Sequence, residues 1–216
     1  MATPKPVPHA IDPAGPPALH PSHIGPRLRD QRKRLGISLR EIARRIGVSA
    51  SLISQIERDK VNPSVSTLYA LVRELGLNMG DLFDTDGSEL PRPPRAPVPY
   101  VMPEERSVIN LASGVIWERL TPDRDPAVEF LRVTYNPGSE SCPADSLVTH
   151  GGREYGYVIS GRLGVRIGFD EYRLEAGYSI TFDSTSPHRL WAIGDEPVEA
   201  LWVVVGRQSD SRISAV

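Results

Sequence analysis

Residues 38–75 read SLREIARRIGVSASLISQIERDKVNPSVSTLYALVREL. Three serines in this stretch stand just ahead of apolar-periodic runs. Ser38 opens Leu39-Arg40-Glu41, an S-x-x-E capping box in which hydroxyl and carboxylate each satisfy a free backbone N–H at the other's position. Ser49 heads a second run, and Ser64 restarts the chain after Asn62-Pro63. Gly47 and Gly76 close two of the runs, where a left-handed residue is needed. Ile42, Ala43 and Ile46 share one helical face, and Leu52, Ile53 and Ile56 share the next. Upstream, Ile24, Leu28 and Leu35 mark the face of an earlier helix that Gly36 ends, and Met79–Phe83 add a last short turn. Two short helices joined by a glycine-containing turn form a helix-turn-helix, with Ala43 small at the helix contact and Gly47 four residues on.

Outward from this unit the prolines divide the chain. Of 216 residues 21 are proline; seven lie in 1–21 and six in 91–103. Proline lacks an N–H and fixes φ, so neither stretch is an interior helix or a central strand. The expected organisation is a disordered tail over 1–21, a helical unit over 22–84, a semi-rigid linker over 85–99, a second unit over 100–207 and a C-terminal tail over 208–216. Charge divides there too: residues 22–83 carry 11 Arg/Lys against 6 Asp/Glu, residues 96–216 carry 11 against 17. A basic unit joined to an acidic one suggests that only the first approaches a polyanion. The N-terminus has no apolar signal core, no run of 18 apolar residues exists, and Cys142 is the single cysteine. A secreted, disulfide-built or membrane-spanning protein is therefore not expected, and a cytoplasmic one is.

The stretch LREIARRIGVSASLISQIERDKVNPSVSTLYALVREL resembles the Xre-type (lambda-repressor-like) DNA-binding domain over about 60 residues. In such domains the third helix enters the major groove with its N-terminal residues toward base edges. The resemblance implies base contacts from Ser49, Ala50, Ser51, Ser54 and Gln55, of which glutamine pairs bidentately with adenine. Arg40, Arg44, Arg58, Lys60 and Asn62 are candidates for phosphate contacts, which position the domain without reading sequence. It also implies a structural pair between Arg32 and Glu57. Domains of this type bind inverted repeats as two-fold dimers, so a homodimer on a double-stranded operator is implied.

Residues 100–207 change texture. Short apolar segments (VIWERL, VEFLRVTY, YGYVIS, LGVRI, YSITF, HRLWAI, VEALWVVV) alternate with turn signals every 8–12 residues. That pattern argues an antiparallel sandwich or barrel, jelly-roll included. HGGREYGYVISG (150–161) and GYSITFDSTSPH (177–188) resemble the two motifs of the cupin family. The match is partial, since Val148 takes the place of a first histidine and Ala192 that of an asparagine. The fold class expected is thus an all-α helix-turn-helix bundle followed by an all-β cupin (jelly-roll) barrel.

His150, Glu154 and His188 remain from the family's ligand set. His150 and Glu154 are an even number apart, so on an extended segment both face the barrel interior, with Val148 as a dry neighbour. Two readings stand. Two histidines and a carboxylate form a facial triad for iron, and zinc or manganese also fits; alternatively the histidines hydrogen-bond Glu154 or an organic ligand. Tyr155, Tyr157, Arg166, Arg189 and Trp191 are weaker pocket candidates. Alternation from Glu154 puts both tyrosines on the opposite face, in packing between sheets or subunits. Cys142, with no resolving cysteine and no basic neighbour close by, reads as an inert thiol.

The leading function is a bacterial one-component transcription regulator: the first unit binds DNA, the second binds a small effector and dimerises. The alternative is a metal-dependent enzyme resembling the iron-dependent epoxidase that forms fosfomycin. The intact reading helix and the basic balance of the first unit favour the regulator.

Overall fold

The computed structural model describes residues 20–21, 23–83 and 99–206. The expected tail, linker and C-terminal segment lie almost wholly outside these residues. His20–Pro21, where the tail ends, forms a short strand, β1, paired parallel with Ser107–Val108.

The helical unit holds α1 (Ile24–Arg34), α2 (Leu39–Ile46), α3 (Ala50–Ile56) and α4 (Val65–Glu74), then a 3-10 turn over Met79–Phe83. Serine chemistry sets the starts: the Ser38, Ser49 and Ser64 hydroxyls each accept from an N–H three residues on, at 3.1 Å. Each such cap contributes about 1 kcal/mol. Gly47 stops α2 at φ 75°, a conformation that β-carbons resist. The capping box at Ser38 is one-sided, a correction to the sequence reading. The Glu41 carboxylate is engaged by Arg44 at 2.8 Å and Arg45 at 2.9 Å instead of returning to the Ser38 N–H. Leu35 is a second correction. It is 49% exposed, because it lies past the last turn of α1 and the buried face is continued by Arg32. Leu28, Ile42, Ile53, Ile56, Leu68 and Leu71 form the core between the helices.

The second unit is all β: β2 (Ser107–Asn110), β3 (Val115–Arg119), β4 (Val128–Tyr135), β5 (Arg153–Ser160), β6 (Arg162–Ile167), β7 (Asp170–Glu175), β8 (Ser179–Asp183), β9 (His188–Ala192) and β10 (Val198–Val205). One sheet runs β1-β2-β3-β4-β10-β5-β8 and the other β7-β6-β9. Apart from the β1–β2 bridge, the pairings are antiparallel. Strand alternation sends Leu131, Val133 and Tyr135 of β4 and Ala200, Trp202 and Val204 of β10 inward, where they meet Leu163, Val165 and Leu190 of the smaller sheet.

The helical unit docks on the barrel of its own chain. The Ala112 N–H donates to the Pro63 carbonyl (2.8 Å), the Ser66 N–H to the Ser141 carbonyl (3.2 Å), and Arg124 forms an ion pair with Asp81. Leu82 and Phe83 are buried, in a turn that packs on β2. Among the described residues no helix is long and apolar enough to cross a membrane.

Candidate functional site

Two sites emerge, one on each unit. On the first, α3 turns Ile53 and Ile56 into the core, which leaves Ser49 and Ser51 exposed and Ala50, Ser54 and Gln55 half-buried. Gln55 Nε2 lies 3.4 Å from Ser51 Oγ, so its amide is held over the first turn of the helix. Of the phosphate candidates, Arg40, Lys60 and Asn62 are exposed. Arg44 is exposed but paired with Glu41, which raises the guanidinium pKa and lowers that of the carboxyl. Arg58 folds back, its Nε donating to the Ser54 carbonyl at 2.9 Å. The pair the family resemblance implied is present: Arg32 Nη2 donates to Glu57 Oε2 at 2.8 Å, and Arg32 Nη1 to the Ile37 carbonyl at 2.7 Å.

On the second unit His150, Glu154 and His188 converge inside the barrel, their ligating atoms all within 4.8 Å of one another. Glu154 is on β5 and faces inward; His188 opens β9. His150 is not on a strand, and here the alternation argument does not hold. It lies in the loop before β5, where Gly152 at φ 104° turns the chain, and the loop rather than the pleat aims the ring. Val148 forms an antiparallel bridge with His188 and is buried beside it.

The hydrogen bonds define the donor set. The Nδ1 of His150 lies 3.0 Å from the Gly151 carbonyl, and that of His188 2.9 Å from the Ser186 carbonyl. A carbonyl can only accept, so each Nδ1 carries the proton and each Nε2 of a neutral ring presents a lone pair. The two Nε2 atoms lie 2.9 and 3.3 Å from the same oxygen, Glu154 Oε1. His150 Nε2 is buried and makes no hydrogen bond despite that approach. Glu154 Oε2 accepts from Trp202 Nε1 at 2.6 Å, which turns Oε1 toward both imidazoles. Two imidazole nitrogens and a carboxylate oxygen converging on one spot are a ligand set that fits a divalent metal.

Three neighbours of the site were not reached from the sequence. Trp202 follows from the parity of β10, once that strand is known to lie beside β5. Tyr135 lines the same small pocket; burial, then the neighbouring Tyr69 and Glu154, push its hydroxyl well above the usual range and keep it a neutral donor. Tyr69 of α4 stacks on His150, centroids 4.7 Å apart and rings 22° from parallel. A larger cavity of about 230 Å³ is lined by Tyr69 and His150 together with α4, residues 124–129 and the loop before β5.

Of the other pocket candidates Arg166, Arg189 and Trp191 lie elsewhere, a further correction, while the two tyrosines take the face that alternation from Glu154 gave them. Arg189 and Trp191 alternate outward from His188 and Leu190 on β9. The guanidinium lies 4.6 Å above the indole, with Arg189 Nε donating to the Cys142 carbonyl at 3.0 Å. Arg166 Nε is taken by the Gly168 carbonyl at 3.1 Å. Tyr155 and Tyr157 face out, 46% and 47% exposed. The Cys142 thiol is buried, which pushes its pKa up, and it contacts the Ser146 carbonyl.

Comparison with known proteins agrees with this division. Residues 28–82 match the helix-turn-helix family and residues 131–204 the cupin domain family. The HTH-type transcriptional regulator PuuR of Escherichia coli (strain K12) is 30% identical over 166 residues, 76% of this chain and 84% of its own. The HTH-type transcriptional regulator SutR of the same organism is 28% identical over 175 residues, 79% of this chain and 88% of its own. A crystal structure of an HTH_3 family transcriptional regulator from Vibrio cholerae superposes with a TM-score of 0.58 at 24% identity, over 86% of this chain and 96% of that one. The alignments with both Escherichia coli regulators are longer than either unit and run through both. Both of these Escherichia coli relatives are named as transcriptional regulators. The chain therefore belongs to the HTH-type transcriptional regulators, with a DNA-binding helix-turn-helix placed ahead of a cupin domain.

Proposed function

We propose that this regulator reads its operator as a homodimer through α3 and answers to a small effector at a metal held by His150, Glu154 and His188. The reading residues are Ser49, Ala50, Ser51, Ser54 and Gln55. Arg40, Arg44, Arg58, Lys60 and Asn62 serve the phosphates. One observation carries this assignment: the amino-terminal turn of α3 is open to solvent while its opposite face is locked in the core. Serine and alanine are permissive readers, so Gln55 carries most of the base discrimination.

The barrel site supports a divalent ion through its three converging acceptors. When bound, the ion supplies positive charge and open coordination positions for an effector's oxygen or nitrogen. Glu154 is oriented by Trp202, both histidines by backbone carbonyls, and Tyr135 adds a neutral hydroxyl.

Dimerisation falls to the outward face of the larger sheet. Tyr155 and Tyr157 of β5 stand opposite Val203 and Leu201 of β10, and Val203 stands opposite Phe130 of β4. Directly opposite residues share a face, so an apolar patch crosses three central strands with Ile159 at one end. It is bordered by ion pairs from Arg132 to Glu118 and Glu199. A patch of this kind suits a second copy of the chain, which also brings the second α3 that a two-fold operator needs.

The test is binding to fragments of the source genome, with the recovered sites compared between wild type and Gln55→Ala. Affinity is expected to fall steeply with salt. The variant is expected to lose about 1–3 kcal/mol of discrimination at one position per half-site. Identical base preferences in the two proteins would remove α3 as the reading helix.

A further inference from the structure

We propose that Tyr69 couples the barrel centre to the DNA-binding unit: a metal-held His150 presents a fixed ring face on which Tyr69 seats α4. This rests on the reading that His150, Glu154 and His188 hold a metal.

Helix α4 belongs to the DNA-binding unit but lies across the barrel mouth. Its first turns hang on the barrel at three points: the Pro63 carbonyl just before it, the Ser66 N–H within it, and the Tyr69 ring. The two backbone bonds are made to atoms of the barrel loops, and neither involves a candidate ligand. The Tyr69 contact is different. The ring stacks on a side chain of the candidate ligand set itself, lies tilted against Trp117 of β3 with centroids 5.8 Å apart, and lines the small pocket together with Glu154 and His188.

The three ligands are not held alike. Glu154 is fixed in the β5 ladder and His188 in β9. His150 stands in a loop between Thr149 and two glycines, so beyond its Nδ1 contact the ring is placed by what its Nε2 meets. Its Nε2 is buried without a hydrogen bond. A metal at that nitrogen fixes the ring plane, and with it the surface under Tyr69. Without metal the ring is free to turn away from Glu154, and the stack is the contact that weakens. Movement of α4 carries the reading head with it, since α2 packs on α4 and Arg45 of α2 lies 3.8 Å from Glu74 of α4. A ligand shifts such an equilibrium only through different contacts in the two states, and the Tyr69–His150 stack is such a contact.

The experiment uses the full chain, with zinc chloride as the probe against chelator-treated protein. Three proteins are compared: wild type, Tyr69→Phe, which keeps the ring face, and Tyr69→Leu, which removes it and leaves the three ligands. Zinc uptake is measured by elemental analysis, operator affinity with and without zinc, and hydrogen exchange over residues 65–74. For wild type and Tyr69→Phe, zinc is expected to slow exchange in α4 and to change operator affinity by about tenfold, within the usual range of coupling between sites. For Tyr69→Leu, zinc is expected to be taken up with no change in operator affinity. An undiminished zinc response in Tyr69→Leu overturns the coupling. Zinc bound by wild type with no change in α4 exchange also overturns it, whatever the leucine variant does, and leaves the metal site standing. Absence of zinc uptake by wild type overturns both.

Discussion

At the scale of single residues the barrel centre depends on a glycine that is not itself polar. Gly156 stands on β5 directly opposite Trp202 of β10. A β-carbon at 156 would come within 2.2 Å of the Trp202 ring, so only glycine lets the indole lie over β5 and reach Glu154 two residues away. The indole N–H then takes Oε2 and leaves Oε1 for the site. Two substitutions separate packing from orientation. Gly156→Ala forces the ring to move and is expected to cost about 1–3 kcal/mol in chemical denaturation. Trp202→Phe keeps most of the ring and removes the donor. It is expected to lower zinc affinity about 10–100-fold, as lost outer-shell partners do. Chelator competition measures this, and an unchanged zinc affinity would show that Trp202 does not orient the carboxylate.

At the scale of elements the helical unit was legible and the barrel only in part, for a physical reason. Helix starts and stops are local chemistry. Ser38, Ser49 and Ser64 accept from N–H groups three residues away, and Gly36, Gly47 and Gly76 adopt positive φ where the runs end. Strand partners are not local. The resemblance to the cupin motifs pointed to His150, Glu154 and His188 as one site, but Trp202, Tyr135 and Tyr69 reach it through pairing and docking that no short stretch encodes. Strand β7 is missing from the apolar segments that the sequence shows, because DEYRLE is an edge strand whose charges face solvent and whose one buried residue is Leu174. Leu35 failed for a related reason: periodicity says which face a residue takes, not whether the helix still has a neighbour there. Arg32 holds that neighbour, tying α1 to Glu57 at the end of α3 inside the core. Glu57→Ala leaves a buried guanidinium unpaired and is expected to cost about 3–5 kcal/mol. Arg32→Met with Glu57→Leu removes both charges and is expected to cost much less. Urea unfolding distinguishes the two, and equal losses would mean that the pair matters only as packing.

At the scale of the whole molecule, a basic reading head is joined to an acidic barrel, and the head is seated on that barrel by α4. A single α3 makes few base contacts, so under the proposed homodimer reading useful affinity comes from two heads on one operator, with the second binding step made intramolecular. In the proposed function the two faces of the larger sheet take different tasks. Inward parity gives Glu154, Trp202 and Tyr135 to the site; outward parity gives Tyr155, Tyr157 and Ile159 to the patch. A charge in the patch therefore disturbs assembly without entering the site. Tyr157→Glu places a carboxylate opposite Leu201 on an apolar face and is expected to yield a monomer by light scattering. Its zinc content is expected to stay that of wild type, because residue 157 points away from Glu154. Operator affinity is expected to fall by about 100-fold or more, the scale on which linked binding exceeds single-site binding. A dimeric Tyr157→Glu protein would move the interface elsewhere. A monomer that kept full operator affinity would mean that one head suffices, and the two-fold reading of the operator would have to be given up.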